Sequence, residues 1–128
     1  MRIDHIAIWA DDIELLRAFY TRYFNLTSGA LYTNPTKRFT SCFLSFGDGG
    51  ARIELMHIPG LLHQEKNGTM KGLAHFAVSV GDRQRVDILT ERLRSDGYTV
   101  LGEPRTTGDG YYESVVADPE GNRIEITI

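Results

Sequence analysis

The chain has 128 residues, 41% of them apolar and 24% charged, with a formal net charge of −3. This suits one domain with a real core and gives no electrostatic reason to expect nucleic acid or an anionic membrane as partner. Cys42 is the only cysteine, which excludes an intrachain disulfide. No run approaches the ~18 apolar residues of a membrane span. Asp4 and His5 interrupt any basic-then-apolar leader. A soluble, cytoplasmic protein is expected.

Residues 3–9 alternate, with Ile6 and Ile8 on one face and His5 and Ala7 on the other, which predicts a strand. Asp11-Asp12 offers a helix N-cap, and Ile13, Leu16 and Tyr20 follow at helical spacing. Tyr32–Thr33 reads as a short strand. Phe39–Phe46 and Ala51–Met56 read as two longer ones, broken by the turn Gly47-Asp48-Gly49-Gly50. Residues 59–71 form a linker, with His57 and His63 in or beside it and exposed. The pattern then repeats. His75–Val80 is a strand, and a helix starts at Gly81-Asp82 and runs to about Ser95, with Val86, Leu89 and Leu93 inward. Asp96-Gly97 stops it. Tyr98–Leu101, Tyr111–Ala117 and Arg123–Ile128 are strands, the last two joined by the turn Asp118-Pro119-Glu120-Gly121.

Self-similarity is explicit in two landmarks. RIDHIAIWADD at 2–12 matches GLAHFAVSVGD at 72–82, and Arg52-Ile53-Glu54 recurs as Arg123-Ile124-Glu125. The histidines are 70 positions apart and the glutamates 71. Two independent landmarks therefore agree on one period to within a single insertion. The fold expected is α+β: two tandem βαβββ modules, 1–58 and 72–128, forming curved mixed sheets around a metal cavity within one domain, 1–128.

Alternation places His5, Glu54, His75 and Glu125 opposite the strongly apolar face of each strand, the face that packs under a helix. A lone histidine at a strand start is ordinarily structural, and a lone strand glutamate ordinarily solvated. Recurrence at equivalent places in both halves changes that reading. Two imidazoles and two carboxylates form a hard-to-borderline donor set. It suits octahedral Ni²⁺, Co²⁺, Mn²⁺ or Fe²⁺, or Zn²⁺ with expanded coordination. Four protein ligands leave two octahedral positions for water or substrate oxygens, and the carboxylates neutralise the dication.

These residues carry a resemblance. The chain is similar to the vicinal oxygen chelate superfamily of glyoxalase I, methylmalonyl-CoA epimerase, extradiol dioxygenases, fosfomycin-modifying transferases and bleomycin-binding proteins. The match rests on His5-Ile-Ala-Ile, on residues 12–24 with Phe19-Tyr20, on Arg52-Ile-Glu54-Leu and on His75-Phe-Ala-Val. Its most specific motif is Asp118-Pro-Glu-Gly-Asn-Arg-Ile-Glu125. Three-ligand branches match His5, His75 and Glu125; glyoxalase I uses all four positions, so Glu54 makes the set look most like bacterial glyoxalase I. Histidine at the first position resembles the forms that prefer nickel or cobalt.

The resemblance implies isomerisation of a 2-oxoaldehyde–thiol hemithioacetal to a 2-hydroxyacyl thioester, as in methylglyoxal detoxification by lactoylglutathione lyase. The metal would act as Lewis acid, and Glu125 or Glu54 as the proton-moving base, Glu125 preferred. It also implies a homodimer, in which the site forms either within one chain or across two. The alternatives are an epimerase or Fe²⁺ dioxygenase, or a non-catalytic module that binds a drug or metabolite. The thiol is open, because Trp9 and Ile58 stand where bacterial glyoxalase I commonly places an arginine and an asparagine for glutathione. Lys37, Arg38 or Arg105 can supply charge from loops. Trp9 and one of Tyr111 and Tyr112, which precede Glu113, are candidate cavity-lining residues.

Overall fold

Asp12 and Asp82 open the two helices in the same way. In the computed structural model, which describes residues 1–62 and 71–128, each is extended and accepts a backbone N–H three residues on, from Leu15 (3.0 Å) and Arg85 (2.9 Å). The chain divides into two compact units, Met1–Gln64 and Glu65–Ile128.

The first unit runs β1 (His5–Trp9), α1 (Ile13–Phe24), β2 (Thr27–Ser28), β3 (Tyr32–Asn34), β4 (Phe39–Ser45) and β5 (Arg52–His57). The second runs β6 (Phe76–Ser79), α2 (Arg83–Ser95), β7 (Val100–Thr106), β8 (Tyr112–Ala117) and β9 (Arg123–Thr127). Each unit builds one mixed sheet among the described residues. β1 pairs in parallel with β5, which pairs antiparallel with β4; β2 and β3 both pair with β4. In the second unit β6 lies parallel to β9, then β8 and β7 follow antiparallel. The expected α+β architecture of two modules is therefore present, each with its parallel pair made by the first and last strands of the module; the first unit carries one strand more than the expected βαβββ order, the two-residue β2.

The helices decide which sheet face is the core. α1 buries Ile13, Leu16, Phe19, Tyr20, Tyr23 and Phe24. Ile8, Cys42, Leu44, Ile53 and Leu55 are buried on the face opposite His5 and Glu54. In the second unit Val78, Val116, Ile124 and Ile126 are buried likewise. α1 ends at Asn25, which adopts the left-handed conformation (φ 54°) and caps with its N–H to the Tyr20 carbonyl.

Several expectations are corrected. Leu89 is only half-buried; Thr90 is fully buried in its place, because Val86, Thr90 and Leu93 share one helical stripe. Its hydroxyl donates to the Val86 carbonyl (2.7 Å), so the Ser114 hydroxyl, 2.7 Å away, donates to it. The strand expected at Tyr98–Leu101 lies at Val100–Thr106, through Pro104. Proline is tolerated there because β7 ends its sheet and pairs with β8 through register irregularities. His57 belongs to β5 and is half-buried, with Nδ1 2.8 Å from the Ala10 carbonyl. The strand's pairing reaches it because Thr40 stands opposite. His63 lies outside the described residues. Among those residues no helix is long and apolar enough to cross a membrane.

Candidate metal centre

Parallel register brings each histidine to its glutamate. Ala7 stands opposite Glu54 and Ala77 opposite Glu125, the same pairing in both units. The histidine two residues before each alanine is therefore a diagonal neighbour on the same face, and alanine leaves room between them. His5 Nε2 lies 3.6 Å from Glu54 Oε2, and His75 Nε2 lies 3.2 Å from Glu125 Oε2. The carboxylates are the more sheltered partners, at 16% and 17% exposure against 38% and 43% for the imidazoles.

The donor roles of His5 follow from its other nitrogen. Nδ1 is 2.9 Å from Asp4 Oδ2. Hydrogen bonds from His5 first, and then from Arg52, hold the Asp4 carboxyl below its ordinary range, so it is ionised and can only accept. Nδ1 must carry the hydrogen. In a neutral imidazole Nε2 then presents a lone pair to the Glu54 carboxylate, another acceptor. Two acceptors facing each other repel unless a proton or a metal cation lies between them.

A divalent ion fits that need. Nitrogen and oxygen donors sit about 2.1 Å from Zn²⁺-sized ions, so neighbouring octahedral donors lie about 3 Å apart. The separation in the second unit is close to this, and that in the first closes with a few tenths of an ångström of side-chain movement. Borderline N/O donors suit first-row transition ions. The structure brings His5 to Glu54 and His75 to Glu125, each pair within its own unit. Among the described residues no third His, Cys, Asp or Glu completes either pair into a metal-holding group.

One acidic neighbour was not singled out from sequence. Val115 faces Glu125 across the β8–β9 ladder, and Glu113 faces Thr127, so Glu113 lies on the ligand face as a diagonal neighbour of Glu125. Its carboxyl is pushed up by burial first, then by the Glu125 charge and by a hydrogen bond shared with Glu125. Ser114 and Val116 are buried, so strand alternation puts Glu113 and Val115 on the open face; the polar Ser114 and the paired Val115 and Val116 hide that alternation in the sequence. Arg105 stands opposite Glu113 on β7 and lowers it, a weaker influence. Tyr111 precedes β8 and is exposed. Tyr112 turns to the helix side, where its hydroxyl donates to Asp87 (2.7 Å) beneath Arg83.

Trp9 stays on the ligand face of β1, half exposed, edge-on to Phe39 at 6.4 Å. Phe39 meets the exposed Tyr32 at the same distance. Ile58 follows β5 and is half-buried. Lys37 and Arg38 are exposed in the β3–β4 turn.

The acidic turn before β9 has a structural task. The buried Asp118 carboxylate accepts from the backbone of Glu120 (2.9 Å) and Asn122 (2.8 Å) and from the Asn122 amide (2.7 Å). Gly121, at φ 80°, donates to the Asp118 carbonyl (2.9 Å). Only a residue free in that region closes the turn cheaply, and its closure sets where Glu125 enters the ladder.

Two modules of α+β type, βαββββ and βαβββ, each place a His–Glu pair at equivalent register. The sequence profile of the Glyoxalase/Bleomycin resistance protein/Dioxygenase superfamily matches residues 2–126, and the chain belongs to that superfamily. It is 26% identical over 125 residues to the uncharacterized protein YqjT of Bacillus subtilis (strain 168), covering 95% of this chain and 94% of that one. Glyoxalase I from Zea mays superposes with a TM-score of 0.79 at 27% identity over 98% of this chain, which spans 44% of the maize chain. A glyoxylase/bleomycin resistance protein/dioxygenase domain from Frankia sp. EAN1pec has a TM-score of 0.82 at 18% identity, over 100% of this chain and 97% of that one; this likeness is one of fold.

Proposed function

We propose that the protein is a metal-dependent enzyme of glyoxalase I type, in which His5, Glu54, His75 and Glu125 serve one divalent ion, nickel or cobalt. The observation that carries this reading is the repeated pairing of an imidazole with a sheltered carboxylate at 3.6 and 3.2 Å. An acidic residue at both glutamate positions favours four-ligand isomerase chemistry over the three-ligand branches. A divalent ion held by these residues would supply Lewis acidity to a substrate.

The chain's own groups would do the rest. Glu125 takes a proton from one carbon and returns it to the adjacent carbon; Glu54 is the alternative base. Glu113, beside Glu125, is placed to hold that carboxylate in position. The row Trp9, Phe39 and Tyr32 gives the apolar part of the substrate a surface on the ligand face of β1 and β4. The reaction is conversion of a 2-oxoaldehyde–thiol hemithioacetal to a 2-hydroxyacyl thioester. The thiol is one that does not depend on cationic groups at positions 9 and 58.

The test is thioester formation from methylglyoxal with a panel of thiols, glutathione included, by protein of verified nickel or cobalt content. Absence of turnover with every thiol would refute the reading. Assembly is proposed as a homodimer with sites shared between chains, His5 and Glu54 from one and His75 and Glu125 from the other. Mixing His5→Ala and Glu125→Ala chains then regenerates one intact site per mixed dimer. Failure to recover any activity would point to sites built within single chains.

A further inference from the structure

His5 is fixed by more than its strand. Its Nδ1 lies 2.9 Å from Asp4 Oδ2, and the same oxygen accepts from the Arg52 guanidinium. Arg52 lies over the Phe43 ring, 4.3 Å from its centroid, and Phe43 meets the His5 ring edge-on at 5.3 Å. The Arg52 amide also donates to the Asp4 carbonyl (2.9 Å). His5, Asp4, Arg52 and Phe43 thus close a ring of contacts around one imidazole.

The second unit has no counterpart. Ala74 stands at the place of Asp4, Arg123 at that of Arg52, and Val115 at that of Phe43. Alanine accepts nothing from a histidine side chain. Among the described residues His75 has no hydrogen-bond or ion-pair partner besides Glu125. The repeat is therefore symmetric in its His–Glu pairs and asymmetric in their support. A free neutral histidine has two tautomers, and only the Nδ1–H form offers the Nε2 lone pair. An outer carboxylate that selects this form and orients the ring raises the readiness of the nitrogen to bind a cation.

We propose that Asp4, steadied by Arg52, is the positioning residue of the metal centre, locking His5 as the Nδ1–H tautomer with Nε2 aimed at the cation position beside Glu54. The inference rests on the metal reading above, but its first readout does not need metal. Nitrogen-15 NMR of the imidazoles in metal-free full-length protein, at a pH where they are neutral, reports each tautomer. Wild type is expected to show His5 as Nδ1–H. Asp4→Ala shifts His5 toward the Nε2–H form and leaves His75 unchanged. Asp4→Asn, whose amide oxygen can still accept, keeps the Nδ1–H form.

The second readout is Ni²⁺ affinity by chelator competition. Asp4→Ala weakens it about 10- to 100-fold, with partial recovery in Asp4→Asn. Asp48→Ala, which removes the same charge from the exposed β4–β5 turn, changes it less than about twofold, the size of a screened surface effect. Unchanged tautomer and affinity in Asp4→Ala would overturn the proposal. Failure of wild type to bind Ni²⁺ or Co²⁺ would overturn the metal reading instead, and the NMR result would still decide whether Asp4 orients His5.

Discussion

If four ligands serve one ion, removing a ligand from either unit should abolish the same stabilisation. A ligand that binds only the folded state contributes about 2.7 kcal/mol at a hundredfold excess over Kd. Unfolding entropy near the transition is about 2.1 cal/mol/K per residue, so roughly 270 cal/mol/K for this chain. Excess Ni²⁺ should therefore raise the melting temperature by about 10 °C. Glu54→Ala takes away a carboxylate that sits 3.6 Å from His5 Nε2, and Glu125→Ala one that sits 3.2 Å from His75 Nε2. If either loss weakens binding a hundredfold, the same Ni²⁺ concentration equals the new Kd, and the stabilisation falls to about 0.4 kcal/mol. The shift drops below about 2 °C in both variants. The assay is thermal unfolding by circular dichroism after chelator treatment, with and without Ni²⁺. Persistence of the full shift in either variant would refute the single four-ligand site. Retention of about half in each would mean two independent two-ligand sites.

Other perturbations probe the parts around that centre. Thr90→Val strands the buried Ser114 hydroxyl without its acceptor. Denaturant unfolding should show a loss of about 1–3 kcal/mol, and the Thr90→Val/Ser114→Ala double variant should be less damaged than the single losses summed. Trp9→Ala should raise KM for the phenylglyoxal hemithioacetal about 3- to 10-fold with kcat little changed; an equal fall in kcat would mean that Trp9 is not a ground-state contact. The Glu113 carboxyl is held above its ordinary range, so its contribution to apoprotein stability is full at low pH and is lost as pH rises through the folded value. Glu113→Gln should accordingly stabilise the metal-free protein at neutral pH by up to about 1 kcal/mol and have little effect near pH 4. A neutral-pH loss would contradict the placement of Glu113 beside Glu125.

Much of this was legible in the chain because it is periodic. The 70-residue offset between His5 and His75 is also the offset between the N-caps Asp12 and Asp82, and strand period two fixed which side of each strand was free of core residues. What alternation cannot supply is the neighbour across the ladder. Thr90 takes the core position beside Leu89 because its hydroxyl donates to the Val86 carbonyl one turn back and accepts from Ser114, 24 positions away, and the second partner is invisible in the local sequence. His57 was placed beside the linker because local sequence does not reveal that Thr40 and the Ala10 carbonyl continue the strand's environment.

The sequence by itself determined the modules, the caps and the four candidate ligands, since these depend on spacing along the chain. Tertiary structure decided the register that makes His5 and Glu54 diagonal neighbours, and His75 and Glu125 likewise. It also decided the two neighbours that separate the units: Asp4 and Arg52 around His5 in the first, Glu113 against Glu125 in the second. The physical reason is that a hydrogen bond or charge interaction depends on distance in space, and pairing between strands brings together groups that the chain separates by tens of residues.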